Sequence, residues 1–192
     1  SYVSCHDNHT LFDKLKLSNP EAADDTIIAM QKLANAIVLT SQGISFLHAG
    51  SDFLRTKGGV ENSYKSPDSV NQINWNRKAE YLDVFNYYKN LIALRKAHPA
   101  FRMTNAQDVA NNLYFEKVED GLVSYTLNNH ANGDTWKRIL VIYNAKPQPV
   151  SYGIDEPWHL VVHEDLFDFE ATIAVKDNLK VPSLSMLIAV QK

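Results

Sequence analysis

Apolar positions change their rhythm along this chain. Before about residue 100 they recur at helical spacing or gather in short runs. Beyond it they fall into short blocks between turn residues. The first apolar pair, Tyr2-Val3, reads as the end of a strand. Ser18-Asn19-Pro20-Glu21 has the form of a capping box, with Ser18 as N-cap and Glu21 three residues on. Asp24 and Asp25 then suit the positive end of a helix dipole. Ile27, Met30, Leu33, Ala34, Ile37 and Val38 predict one apolar helix face, with Gly43 as the stop. Ile44-Ser45-Phe46-Leu47 reads as a buried parallel strand. Strand, helix and strand make one βαβ unit. A long loop follows, from about Ala49 to about Arg77, of a length that is uncommon and usually functional. A second helix is expected from about Ala79 to Ala97, with a stripe of Leu82, Phe85, Tyr88 (or Tyr81), Leu91, Ile92 and the stem of Arg95, ending before Pro99.

After Pro99 the pattern predicts strands and turns and no strong helix. Leu113-Tyr114-Phe115 and the run Leu122 to Leu127 flank Asp120-Gly121, a strong hairpin signal. Asn132-Gly133-Asp134 opens the next turn, before a run from Arg138 to Tyr143. Trp158 to Val162, Thr172 to Val175 and Leu184 to Val190 are further strands. Such spacing suggests an antiparallel β-sandwich. The predicted fold is therefore α/β followed by all-β, divided into 1–100 and 101–192. A (β/α)8 barrel has eight β/α units in about 250 residues. The first half looks like the last quarter of one, a C-terminal fragment of a TIM barrel, with a sandwich appended.

Composition narrows the function classes only mildly. The 192 residues are 45% hydrophobic and 21% charged, as in an ordinary globular protein. A net charge of -3 leaves no basic footprint for nucleic acid. No apolar run approaches the roughly 20 residues of a membrane helix. The single cysteine, Cys5, makes no intramolecular disulfide, so the compartment stays open. The chain opens inside a strand without an initiator Met, so its first residue is not read as a natural start.

The chemistry concentrates in Ser4-Cys5-His6-Asp7-Asn8-His9-Thr10, just after the first predicted strand. Carboxyl ends of strands are where α/β proteins place their sites. On the residues alone three readings stand. The stretch is a polar turn; or His6 and Asp7 hold sugar hydroxyls; or His6, Asp7 and His9 ligate a metal in a phosphohydrolase. The strand-rich second half argues against the metal reading, whose scaffold would be all-helical. A stand-alone carbohydrate-binding sandwich explains the second half but leaves the loops of the first without a purpose.

Three stretches carry a resemblance to a family. Tyr2 to Leu15, reading YVSCHDNHTLFDKL, closely resembles the seventh-strand motif of type I pullulanases, in the α-amylase superfamily of glycoside hydrolases. Gly43 to Gly59 is similar to the eighth strand and its loop. Glu61 to Trp75 is similar to the loop after that. The resemblance covers about the first hundred residues specifically and the sandwich more loosely. Asp52 departs from the family, which more often has Glu, and Cys5 is often another residue there.

The resemblance implies a debranching enzyme that hydrolyses α-1,6 linkages in pullulan, starch or glycogen with retention. It implies that Asp7 is the third catalytic carboxylate, which binds sugar hydroxyls and favours the distorted ring, and that His6 assists. Asn8, Tyr64, Asp68 and Asn71 match substrate-binding positions; Tyr64 offers a face for a sugar, while a turn role for Asp68 and Asn71 is the plainer alternative. The nucleophile and the general acid would lie on earlier strands, before Ser1, so the chain alone is expected to be inactive. The expected partner is an α-glucan, with no nucleic acid and no membrane. No cofactor is evident, and calcium in a full-length parent stays open. Arg55 is expected to pair with a carboxylate, and His48 to be a hydrogen-bonded core residue. Tyr81, Tyr87, Tyr88, Trp136 and Trp158 are expected to pack. Without its barrel partners the first half is expected to self-associate or to be loosely ordered.

Overall fold

A computed structural model describes residues 1–192, and its backbone forms two compact units. One comprises Ser1–Leu39 and Ile44–Leu91; the other comprises Thr40–Gly43 and Ile92–Lys192. The split inside the second long helix follows from packing, since its last turns belong with the residues that follow them.

The first unit is helical. After the polar stretch comes α1 (Leu11–Ser18), whose N-cap is Thr10: its hydroxyl accepts from the Asp13 N–H at 3.2 Å. Ser18, expected to start the first helix, instead ends it. The Asn19 backbone N–H and its side-chain amide both donate to the Leu15 carbonyl, which closes α1, and Pro20 cannot extend it. Then α2 (Asp24–Thr40) begins, with Asp24 and Asp25 in its first turn. It buries Ile27, Leu33, Ala36, Val38 and Leu39, but also Gln31 and Asn35. Gln31 earns its place by donating to the Ser51 carbonyl at 2.8 Å. Gly43 has the left-handed φ of +83° expected of a helix stop.

The predicted strands of this unit are extended segments, not members of a ladder. Ser1 donates its amino group to the Ile44 carbonyl and accepts from the Phe46 N–H at 2.9 Å. One residue bonded to both neighbours of another is the parallel pattern. Ile44, predicted as buried, is 88% exposed, and Phe46 and Tyr2 are also open to solvent. The loop then folds through a 3-10 turn (Ser51–Phe53), the single-turn helix α3 (Asp68–Asn71) and α4 (Asn76–Glu80). The expected single helix from Ala79 is broken at Tyr81, whose ψ of +48° separates α4 from α5 (Leu82–Ala97). The buried face of α5 is Val84, Tyr87, Tyr88, Leu91 and Leu94, while Leu82 and Ile92 of the predicted stripe are exposed. Tyr88 and Leu91 of the stripe are buried as expected, and Val84, Tyr87 and Leu94 complete the face in place of Leu82 and Ile92. The Tyr87 and Tyr88 rings pack as expected.

The second unit is built on β structure with one further helix. Beyond Pro99 comes α6 (Ala106–Asn112), which the pattern did not predict; Asn105 caps it by accepting from the Asp108 N–H at 2.8 Å. The strands are β1 (Leu113–Glu119), β2 (Leu122–Leu127), β3 (Arg138–Asn144), β4 (Val150–Gly153), β5 (Trp158–His163), β6 (Leu166–Phe167), β7 (Ile173–Val175), β8 (Asn178–Val181) and β9 (Ser185–Gln191). One antiparallel sheet runs β1-β2-β3-β9-β5-β6, with β7 on β5; β4 and β8 form a second, two-stranded sheet. The β1-β2 hairpin turns at Asp120-Gly121, Gly121 with φ +69°. Strands β4, β6 and β8 are too short and too interrupted by polar residues to show in the pattern.

Alternation fills the space between the two sheets. Leu122, Leu140, Ile142, Leu187 and Ala189 point from the large sheet onto Leu179 and Val181 of the small one, with Trp158 among them. Trp136 and Trp158 are both buried. The other face of the large sheet carries Tyr125 and Tyr143, whose hydroxyls meet Thr40 at 2.7 and 2.6 Å. Arg95 donates to the carbonyls of Ser41 and Gly43, and this is why Thr40–Gly43 belong to this unit. Close by, Asp134 accepts from His98, Trp136 and Ala100, and the His98 ring stacks on Trp136.

Candidate functional site

The site belongs to the first unit, where the polar stretch meets the long loop. A cavity of about 320 Å³ is lined by His6, Asp7, His48, Arg55, Lys57, Glu61, Asn62, Ser63, Tyr64 and Asn71. Segments distant in sequence are brought there by hydrogen bonds to a side-chain carboxylate. Asp13, buried on α1, accepts from the Thr56 hydroxyl at 2.5 Å and from the Lys57 N–H at 2.7 Å. The loop is thereby fastened just beyond the stretch that carries His6 and Asp7.

His6 and Asp7 lie side by side, Nδ1 to Oδ1 at 3.2 Å, and both side chains are largely exposed. A carboxylate accepts from two hydroxyls, and an imidazole donates or accepts according to its tautomer. Asn8 follows with φ +60°, a conformation an Asn tolerates better than most residues. It turns the chain away, and Asn8 is not among the residues lining the cavity.

The cation side of the cavity is Arg55 and Lys57. Lys57, buried, donates to the Ser63 hydroxyl at 2.6 Å. Burial and the Arg55 charge hold its ammonium below the usual lysine range, against the opposing charges of Asp13 and Asp7. Arg55 does not pair with a carboxylate as expected. Its guanidinium donates to the Asn71 carbonyl at 2.6 Å and the Ala49 carbonyl at 3.2 Å. Those carbonyls lie 6 and 16 residues from Arg55, at separations no helix or strand rule names. Gly50 makes the arrangement fit: its φ is +87°, and a Cβ there would stand 2.9 Å from the Arg55 Cβ. His48 is half-buried on the cavity wall, its Nε2 3.4 Å from Arg55, where a core position was expected. Burial, then the charges of Arg55, Lys57 and His6, lower its pKa, so it is neutral near pH 7 and free to donate or accept.

The other predicted contacts separate. Tyr64 lines the cavity with its ring 74% exposed and Lys65 over one face at 5.2 Å. Asn71 also lines it, yet its amide donates to the carbonyls of Ser63 and Ser66 at 2.7 and 3.0 Å and so ties the loop to itself. Asp68 is exposed at the start of α3 and lies off the cavity wall. His6, Asp7 and His9 form no metal centre: no group of three His, Cys, Asp or Glu side chains is placed to hold an ion. Lys57, Arg55 and His48 were missed as a set because their convergence depends on the Asp13 and Asn71 hydrogen bonds.

Known proteins similar to this chain in sequence and shape agree with one another. A family profile described as "Pullulanase, all-beta domain" matches residues 109–165. A pullulanase of Bacillus subtilis strain 168 is 41% identical over 91% of the chain and 25% of that protein. Among solved structures, a pullulanase from Bacillus acidopullulyticus superposes with a TM-score of 0.95 at 44% identity, over 99% of the chain and 24% of its own. One from Paenibacillus barengoltzii, in complex with maltohexaose and α-cyclodextrin, gives 0.90 at 47% identity, over 99% of the chain and 29% of its own. The chain spans about a quarter of the length of these relatives.

Proposed function

Since the chain belongs to the pullulanases, debranching glycoside hydrolases of which it is a partial, C-terminal portion, we propose that it forms the last part of their (β/α)8 barrel and the β domain after it. The whole protein would hydrolyse α-1,6 linkages in pullulan and related α-glucans with retention. The parallel bonding of Ser1 to Ile44 and Phe46 supports the barrel reading. A pair of parallel neighbours joined through a helix is the repeating unit of that fold.

The observation that carries the functional reading is the His6–Asp7 pair on the wall of a cavity that also presents His48, Arg55 and the exposed face of Tyr64. Retaining hydrolysis passes through an oxocarbenium-like transition state, aided by ring distortion and hydrogen bonds to hydroxyls. In the proposed roles Asp7 accepts from hydroxyls of the distorted sugar, and its negative charge favours the developing cation. His6 orients those hydroxyls and Tyr64 packs against a ring. Asn8, Asp68 and Asn71 serve the neighbouring subsites, Asn71 in part by holding the loop. The nucleophile and the general acid are assigned to earlier barrel strands, and no Asp or Glu of this chain takes either role.

The 192-residue chain alone should release no reducing sugar from pullulan above a buffer control. In the full-length enzyme Asp7→Asn keeps the shape and removes the charge. Its turnover number should fall by about two orders of magnitude, the typical effect of losing one transition-state electrostatic contact, with a native circular dichroism spectrum. Near-normal turnover would make Asp7 a turn residue. Turnover by the chain alone, abolished in Asp7→Ala, would show that it carries its own catalytic carboxylates.

A further inference from the structure

Lys57 is the buried cation of the glucan cavity, 6% exposed, and the roles assigned to the site leave it without one. A buried ammonium is ordinarily paired with a carboxylate. This one bonds to two neutral oxygens instead, the Ser63 hydroxyl at 2.6 Å and the His6 carbonyl at 3.5 Å. Burial and the Arg55 charge oppose its ionisation, and the charges of Asp13 and Asp7 favour it. A perturbed, buried charge on a cavity wall is a mark of a functional site.

What the ammonium joins is a second observation. From Cys5 to His9 the His6 carbonyl is the one backbone group in a hydrogen bond, and Lys57 supplies it. The other end is braced. The Lys57 N–H donates to Asp13 at 2.7 Å, the Ser63 carbonyl accepts from the Asn71 amide at 2.7 Å, and the Asn71 carbonyl accepts from Arg55 at 2.6 Å. A loosely held stretch is thus tethered to a fixed loop through a single side chain. That stretch carries His6 and Asp7, whose largely exposed side chains have little packing to place them.

We propose that Lys57 is a positioning residue for hydrolysis: its ammonium ties the backbone at His6 to the Ser63 loop and so sets where the Asp7 carboxylate stands against the sugar. The inference rests on the hydrolase reading and adds to it a residue that acts through Asp7 without touching substrate. Lysine suits the task, because its flexible stem carries three donors that turn to acceptors on separate segments. Its charge also attracts the Asp7 carboxylate, more strongly beside a wall shielded from water than in open solvent. A misplacement of about 1 Å at a reacting centre costs up to about a hundredfold in rate, so the tether bears on turnover and not on stability alone.

Kinetics of pullulan hydrolysis by the full-length protein test it. In Lys57→Met, which keeps an unbranched stem and removes donors and charge, the turnover number should fall about tenfold or more. Ser63→Ala releases the loop end of the tether alone, so KM should rise while the turnover number stays within about twofold. A double-mutant cycle with Asp7→Asn separates positioning from a merely structural role. Once Asp7 has lost its charge, adding Lys57→Met should change the turnover number by about twofold at most, whereas a structural defect would add its full loss there. Should Lys57→Met fail to fold, Lys57→Gln keeps donors without the charge, and its deficit should likewise vanish beside Asp7→Asn. A normal turnover number in the Lys57 variants, an equal loss in both backgrounds, or a loss in Ser63→Ala as large as in Lys57→Met would overturn the inference and leave the hydrolase reading intact. Near-normal turnover in Asp7→Asn is the different failure: it removes the role of Asp7, and the positioning role of Lys57 with it.

Discussion

The two units use their apolar residues in opposite ways. In the β unit Ile142, Leu187, Ala189 and Val181 are fully buried, and the central strands β2, β3 and β9 are bonded on both sides. In the helical unit Ile44, Phe46, Tyr2 and Leu82 face solvent, and extended backbone is bonded at one residue only. Composition does not separate them, because both contain apolar runs of similar strength. The difference is where each run finds its partner. Every strand of the large sheet has its neighbour within residues 113–191. The run Ile44 to Leu47 has the pattern of a strand buried on both faces but has a partner at Ser1 alone.

Amide hydrogen exchange puts that difference to its hardest test. Exchange at Ile139 to Tyr143 should be slower than at Ile44 to Leu47 by a hundredfold or more, roughly the gap between core strands and loosely held segments. Equal protection, in a chain that light scattering shows to be monomeric, would make the helical unit self-sufficient and remove the contrast.

Substitutions scale the contrast residue by residue. Ile142→Ala leaves a cavity between the sheets and should cost about 2–5 kcal/mol in denaturant unfolding. Ile44→Ala, at a position 88% exposed, should stay within about 0.5 kcal/mol. Comparable losses at the two positions would mean that Ile44 is buried in solution.

The β unit should also carry the acid sensitivity. Burial alone would raise the Asp134 pKa, but bonds from His98, Trp136 and Ala100 outweigh it and lower the value below 3.8. A folded-state pKa below the unfolded one contributes stability above the unfolded value, lost as pH falls through the folded one. Asp134→Asn should therefore lower stability by about 1–3 kcal/mol at pH 7. The deficit should begin to shrink near about pH 4, where the unfolded-state carboxyl protonates, and go on shrinking as pH falls through the lower folded-state value. A pH-independent difference would show that the bonds act without the charge.

The smallest expected effect belongs to the helical unit. Thr10→Ala removes the cap of α1 and should cost about 1 kcal/mol. Because Asp13 on that helix fastens Thr56 and Lys57, the proposed pullulan hydrolysis by the full-length protein should show a KM that rises more than the turnover number falls. An unchanged KM would show that the loop holds its place without the cap.

Much of the β unit was legible because its signals are local. Asp120-Gly121 dictates a tight turn, and the runs from Arg138 and Leu184 are nearly unbroken apolar blocks, so β1-β2, β3 and β9 follow. The polar stretch around Asp7 was legible for the same reason: it is contiguous. The errors fall where local signals compete. Ser18 and Thr10 both have cap chemistry, and the choice went to the residue whose helix could be closed by Asn19. Tyr81 carries no breaker signal, so the break between α4 and α5 does not show in the pattern.

What the sequence by itself determined is therefore the set of elements with strong periodicity, the order of helical and β regions, and the residues from which a sugar site would be drawn. Tertiary structure alone decided which of them meet. Arg55 finds carbonyls of Asn71 and Ala49, Asp13 reaches the loop at Lys57, Thr40 joins the tyrosines of the large sheet, and β4 finds β8. Periodicity encodes which face of an element is apolar, since it depends on neighbours three or four residues away. A hydrogen bond between residues forty or a hundred apart depends on the path of all the chain between them, and no local pattern holds that information.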